Sequence, residues 1–246
     1  MDLALLIAAA LATALATGLG AVPVFLLGER AAALRPAMWG LAAGLMGVAS
    51  IVGLLAPALE QGGALAVLAG FAVGVGFLLA TRRALRDRDV EVAGLRGVGV
   101  RRSLLVFAVL FVHSLPEGLA MGTAWAADTP GLGLFVVLAI ALQNVPEGTS
   151  VAIPMEAAGF NRRQQFWAAT MTSAPQPIAA PGAYLMVERV EALLPFSFAF
   201  AAGAMLALVA GELVPQAFTR ATWRSAAAGA LAGAAAMLAL STTLGV

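Results

Sequence analysis

Two short strings, His113-Ser114-Leu115-Pro116-Glu117-Gly118 and Gln143-Asn144-Val145-Pro146-Glu147-Gly148, each set a metal-type ligand four residues before a glutamate. Each also puts a proline directly before that glutamate. On a helix, positions four apart share a face at about 6 Å. His113 is thereby paired with Glu117, and Gln143 with Glu147. An imidazole, two carboxylates and a carboxamide around one point suit a borderline divalent cation such as Zn²⁺. Pro116 and Pro146 cannot donate to the carbonyls of Val112 and Leu142, which adds candidate oxygen ligands. Gly118 and Gly148 allow close backbone approach. His113 is the only histidine and there is no cysteine. Thiolate sites are therefore excluded, and any metal must be held by this one ring, carboxylates, amides, hydroxyls or methionine sulfur.

The elements that carry these strings are membrane helices. Of 246 residues, 61% are hydrophobic and 11% charged, with a mean hydropathy of +0.95, against roughly 25% charged in soluble domains. A net charge of +1, without a basic cluster interleaved with aromatics, leaves no nucleic-acid partner to expect. The lipid bilayer is the expected one. Eight apolar stretches have spanning length: 3–27, 38–57, 64–80, 104–125, 132–155, 165–187, 194–217 and 225–245. They define an all-α polytopic membrane protein with a single transmembrane domain over 1–246. Asp2 precedes the first stretch where a cleaved signal would carry positive charge, so that stretch is expected to be a retained span. Pro146 and Pro154 interrupt the fifth stretch, and Pro175, Pro177 and Pro181 the sixth. In lipid such breaks are tolerated where the freed groups face protein or a wet cavity, so both breaks mark the interior.

Arg30, Arg35, Arg82, Arg83, Arg86, Arg88, Arg96, Arg101, Arg102, Arg162, Arg163, Arg220 and Arg224 all fall on one side of this arrangement, and only Arg189 on the other. The arginine side is expected to be cytoplasmic, with both termini outside. The loop at 81–103 reads as a solvated cytoplasmic linker, or as a segment that binds anionic lipid. Spans four and five then run antiparallel through the turn at Asp128-Thr129-Pro130-Gly131, which sets the two Pro-Glu-Gly elements opposite each other at similar depth. A glutamate in hydrocarbon is rarely present unless it binds or moves something. Two close carboxylates without a cation cannot both stay ionised. The pair either shares one proton structurally or gives up that proton when a metal arrives.

With these motifs and spans, the chain resembles the ZIP (Zrt/Irt-like) family of divalent metal transporters, in its bacterial, GufA-like branch. The resemblance covers essentially the whole chain. It implies three-plus-two-plus-three helix organisation with inverted repeats, a mononuclear or binuclear metal site among spans four to seven, and movement of Zn²⁺, Cd²⁺, Fe²⁺ or Mn²⁺ toward the cytoplasm. Alternating access by displacement of one helix bundle against the other is the implied mechanism, and a bacterial inner membrane the implied location. Carried over by position, His113, Glu117, Gln143, Asn144 and Glu147 match the metal-binding motif, Gln176 stands at the span-six position, and Glu212 matches the acidic residue of span seven. The alternative for Glu212 is a carboxylate snorkelling at the interface. Ser114, Thr172, Ser173 and Pro177 are expected along the pathway. Met121 and Met155 serve as soft contacts or as apolar packing.

The chain departs from the family pattern at several positions. Ser114 stands where the family usually has Asn, Gln176-Pro177 where it has Glu-Pro, and Pro215-Gln216 where it often has Pro-Glu. These departures reduce the charge of the site. Glu117 and Glu147 neutralise one divalent ion, whereas a second would leave about two uncompensated positive charges in a low-dielectric interior. One bound cation is the expectation. Gly40/Gly44, Gly70/Gly74 and Gly229/Gly233 have the spacing of close helix packing, with a homodimer contact or a sliding surface as the functional alternative. No nucleotide-binding loop accompanies these features and no organic cofactor is expected, so the transport reading is of a secondary carrier driven by gradients. An intramembrane metallohydrolase would need an HExxH-like pair, which one histidine cannot supply. A non-transporting metal-binding or sensing protein on the same fold is the remaining alternative.

Overall fold

Uncharged runs of Leu, Ala, Val and Phe can satisfy their backbone polar groups in lipid only by forming helices. A computed structural model describes residues 2–86 and 98–246, the side chains at 29, 85, 86 and 98–105 excepted, and helix is the regular structure throughout the described residues. Helix α1 (Leu3–Leu19) starts on Asp2, whose carboxylate accepts from the Ala4 N–H at 2.9 Å. After a turn at Gly20-Ala21 the chain continues as α2 (Val22–Leu27). Helix α3 (Arg35–Ser50) passes through a π-helical turn, Ile51–Leu55, into α4 (Ala56–Gln61). Then follow α5 (Ala64–Arg86), α6 (Val98–Ala126) and α7 (Leu132–Ala157). Between α6 and α7 the chain turns on Gly131, whose φ of 81° is one that glycine adopts without strain.

Helices α8 (Arg162–Thr172) and α9 (Gln176–Arg189) come next. Helix α10 (Leu194–Leu208) runs through a second π turn, Val209–Leu213, into α11 (Val214–Ala217), and α12 (Trp223–Leu244) closes the described chain.

Among the described residues, seven segments are long and apolar enough to cross a membrane: Leu3–Leu27, Arg30–Gln61, Ala64–Ala84, Val106–Ala126, Leu132–Ala157, Glu191–Ala217 and Trp223–Leu244. The sixth stretch, expected to be interrupted by its prolines, is a broken helix. Its halves have 11 and 14 residues, each well short of the roughly 20 needed to span. Pro175 lacks an N–H and disfavours helical backbone at the residue before it, so α8 ends and α9 restarts around it. The expected interruption of the fifth span is absent: α7 runs unbroken through Pro146 and Pro154, as α6 does through Pro116. The expected linker at 81–103 is also shorter than drawn. Residues 81–86 continue α5 and 98–103 open α6, while 87–97, with Arg88 and Arg96, lie outside the described residues.

Helix packing falls into two groups. Helix α3 lies along α12 and α5 along α10, while α1, α6, α7, α8 and α9 pack on one another; α3 with α7 and α10 with α6 join the groups. Small residues set the first group. A Cβ on Gly44 would lie 2.1 Å from the Ala230 carbonyl oxygen, and one on Gly74 would lie 2.0 Å from that of Phe200. The GxxxG faces are thus taken up by contacts within the chain.

Candidate metal centre

Helices α6 and α7 bring three ligand-type side chains to one point. One ligand atom each from His113, Glu117 and Glu147 lie within 4.8 Å of one another. His113 and Glu117 have no exposed surface and Glu147 has 3%. His113 Nε2 is 3.6 Å from Glu117 Oε1, and Gln143 Nε2 donates to the same oxygen at 2.5 Å. Both ring nitrogens of His113, Gln143 Oε1 and Glu147 Oε1 are buried without a hydrogen-bond partner. Leaving a buried polar atom unsatisfied costs about 1–3 kcal/mol. An imidazole nitrogen, an amide oxygen and a carboxylate oxygen are all lone-pair donors, so a cation among them would remove several such costs together.

A neutral layer lies against this cluster. Gln176, at the start of α9, donates through Nε2 to Glu117 Oε2 at 2.8 Å and to Asn144 Oδ1 at 3.3 Å. Its Oε1 accepts from Thr13 Oγ1 at 2.8 Å and from Asn144 Nδ2 at 3.2 Å. Asn144 Nδ2 also donates to the Thr13 carbonyl at 2.7 Å. Ser173, in the break between α8 and α9, shares a hydrogen bond of 2.6 Å with Thr17. Of the expected ligands, Gln143 therefore reaches the cluster, whereas Asn144 and Gln176 stand one layer out with their amide atoms engaged by protein partners.

Thr13 and Thr17 on α1 had no part in the sequence reading. Their signal was two hydroxyls four residues apart in an otherwise apolar helix, which puts a polar strip on one face. Glycine lets that face approach so closely. A Cβ on Gly148 would sit 1.7 Å from the Thr17 carbonyl oxygen, and one on Gly20 would sit 2.2 Å from that of Val145. Thr149 Oγ1 fastens the same crossing by donating to the Gly20 carbonyl at 2.7 Å.

The remaining candidates separate by position. Ser114 is buried and donates to the Leu110 carbonyl at 3.1 Å, and Thr172 to that of Ala169 at 2.6 Å. Met121 and Met155 lie in apolar clusters, and Met121 Sδ also accepts from Thr13 Oγ1 at 3.9 Å. Pro116 and Pro146 are buried in the strings that carry the cluster, and Pro177 lies in the first turn of α9. Glu212 is not in the cluster. It lies on the π turn after α10, where its Oε1 is 2.5 Å from Arg82 Nε. A cavity of about 170 Å³ is lined by both Glu147 and Glu212, together with Trp39, Ser150 and Gln216. Trp39 Nε1 donates to Ser150 Oγ across this cavity's wall.

Helices of spanning length around a buried His/carboxylate cluster define a multi-pass membrane protein with a cation-type site. Residues 86–241 match the family model described as the ZIP zinc transporter. Zinc transporter GufA of Myxococcus xanthus is 34% identical over 249 residues, covering 96% of this chain and 98% of its own. Zinc transporter ZIPB of Bordetella bronchiseptica is 32% identical over 248 residues, or 94% of this chain and 78% of that protein. An Arabidopsis thaliana protein is 35% identical over 239 residues, which make up 94% of this chain but only 38% of the plant protein. The chain belongs to the ZIP family.

Proposed function

We propose that this chain is a secondary transporter that moves divalent metal cations, Zn²⁺ foremost and Cd²⁺, Fe²⁺ or Mn²⁺ as alternatives, across a bacterial inner membrane toward the cytoplasm by alternating access. The observation that carries the reading is the buried triad of His113, Glu117 and Glu147 within 4.8 Å, with lone pairs left unpartnered. These three side chains and Gln143 hold the cation. The relatives' names, zinc transporter in both bacterial cases, support zinc as cargo.

One cation occupies the site at a time. Two carboxylates balance one divalent ion, and the space beside Glu117 is filled by the amides of Gln176 and Asn144 rather than by a third carboxylate. Residues 1–246 act as one transport domain, without organic cofactor or enzymatic step. The arginine asymmetry supports a cytoplasmic side bearing every arginine but Arg189 and both termini outside. An inside-negative potential then drives uptake by about 2.3 kcal/mol per elementary charge per 100 mV.

Radiolabelled Zn²⁺ uptake into proteoliposomes under an imposed inside-negative potential tests the reading, with Glu147→Gln as the comparison. Uptake by the native protein and its loss in the variant is the expected result. Metal binding without flux, for Zn²⁺, Cd²⁺, Mn²⁺ and Fe²⁺ alike, would replace transport with a sensing role on the same fold.

A further inference from the structure

The cavity beside the metal centre is lined by two carboxylates, Glu147 and Glu212, and the two differ in what they face. Glu147 keeps a buried oxygen without a partner. Glu212 has none to spare: its Oε1 lies 2.5 Å from Arg82 Nε, and its Oε2 accepts from Gln216 Nε2 at 3.1 Å. The Glu212 side chain is 19% exposed and that of Arg82 44%. The pair is therefore partly exposed, and Glu212 brings it to the cavity wall. Arg82 comes from α5 and reaches across Gly211, where a Cβ would lie 2.9 Å from its Nη1. With Leu78, Thr81, Val109 and Leu208, the same two side chains also line a second, smaller recess. The guanidinium is thus held against the carboxylate from one side and by the shape of the wall from the other.

We infer that Arg82 is a tethered counter-cation that occupies Glu212 and denies this carboxylate to the ion leaving the buried site. The inference rests on the transport reading of that site. The guanidinium is a fixed positive charge, so the Arg82–Glu212 pair is balanced whether or not metal is bound. A divalent ion passing from Glu147 meets an already balanced pair and is not captured a second time. Without Arg82, Glu212 and the Gln216 amide would present oxygens in the cavity wall, and the ion would pause there. An ordinary interfacial ion pair would have no such consequence for metal, so the two accounts differ in a measurable quantity.

That quantity is tightly bound Zn²⁺ per protomer, counted in detergent by equilibrium dialysis and elemental analysis. The proteins compared are native, Arg82→Gln, Arg82→Lys, Glu212→Gln and the Arg82→Gln/Glu212→Gln double variant. Arg82→Gln is expected to bind one ion more than the native protein, and the double variant to lose that ion again. Arg82→Lys and Glu212→Gln are expected to match the native count. In proteoliposomes Arg82→Gln is expected to lower the maximal Zn²⁺ uptake rate several-fold, with recovery in the double variant. An Arg82→Gln count equal to native would overturn the inference, as would a Glu212→Gln count below native. The increment between native and Arg82→Gln tests Arg82 whatever the native count is, while the native count and its loss in Glu147→Gln test the buried site.

Discussion

Gln176→Glu probes the charge of the centre with a change of a single side-chain group. In the native protein the Gln176 amide nitrogen faces two acceptors, Glu117 Oε2 at 2.8 Å and Asn144 Oδ1 at 3.3 Å. The substitution keeps the shape but turns that donor into an oxygen that faces oxygens. Two hydrogen bonds are lost, at about 1 kcal/mol each. The new charge faces Glu117 at close range, and like charges 4 Å apart repel by about 4 kcal/mol at an effective dielectric of 20. Metal-free variant must therefore take up a proton there or lose stability. The loss of about 2 kcal/mol from the hydrogen bonds alone corresponds to a fall in Tm of about 4–8 °C for a chain of this size. A second divalent ion relieves the repulsion, because three carboxylates against two ions leave one uncompensated charge instead of two. The assay is thermal unfolding in detergent with chelator and with saturating Zn²⁺, alongside the bound-metal count. The variant is expected to melt lower in chelator, to regain most of the loss in Zn²⁺, and to bind a second ion. A variant that melts like the native protein in chelator and still binds one ion would refute the charge argument, and so would two tight ions in the native protein.

Further outcomes follow from the same geometry. Zn²⁺ at 100 times its dissociation constant should stabilise the native protein by about 2.7 kcal/mol, and thermal scans should show this shift vanish in Glu147→Gln. Gly148→Ala forces a Cβ to within 1.7 Å of the Thr17 carbonyl, and since overpacking costs about 1–3 kcal/mol it should lower the Tm while leaving every ligand in place. Thr13→Val keeps volume but removes the donor to Gln176 Oε1. It should cost about 1 kcal/mol, read as a lowered Tm, without reducing the number of ions bound.

The two Pro-Glu-Gly strings were legible because helical spacing alone puts His113 with Glu117 and Gln143 with Glu147, and because carboxylates in apolar helices rarely lack a role. What surrounds them was not. Thr13 lies 131 residues before Asn144 in the chain, yet its carbonyl accepts from the Asn144 amide and joins the same network. No periodicity within α1 announces which helix its hydroxyls will meet. The meeting depends on glycine at both Gly20 and Gly148, a pairing visible only in three dimensions. Proline misled in one place and informed in another. Pro146 and Pro175 remove the same backbone donor, but α7 is packed on both sides by α1 and α3 and stays continuous, whereas α8 and α9 meet at a true break. For Glu212 the motif leaves a metal role and an interfacial carboxylate both open, and its partner Arg82 arrives from another helix, 130 residues away.

The position of Trp39 bears on how the centre opens. The ligand residues and their neutral layer sit on α1, α6, α7 and α9, which pack on one another, while Trp39 belongs to α3 in the other group. Its indole N–H donates to Ser150 of α7, so this bond joins the two groups beside Glu147, in the wall of the cavity that Glu147 and Glu212 share. If alternating access moves one group against the other, the bond exists in the state with this cavity open and breaks in the opposite one. Trp39→Phe removes the donor and keeps an aromatic ring. A hydrogen bond worth about 0.5–1.5 kcal/mol then shifts the balance between states by roughly two- to tenfold. The natural chain has no cysteine, so Val109→Cys supplies a single thiol on the cavity wall. Labelling of that thiol by a water-soluble maleimide reports the open population. Adding Trp39→Phe should slow the labelling by roughly two- to tenfold. An unchanged rate, in protein that still binds Zn²⁺ as before, would mean that the bond persists through the cycle and that α3 and α7 do not part at this level.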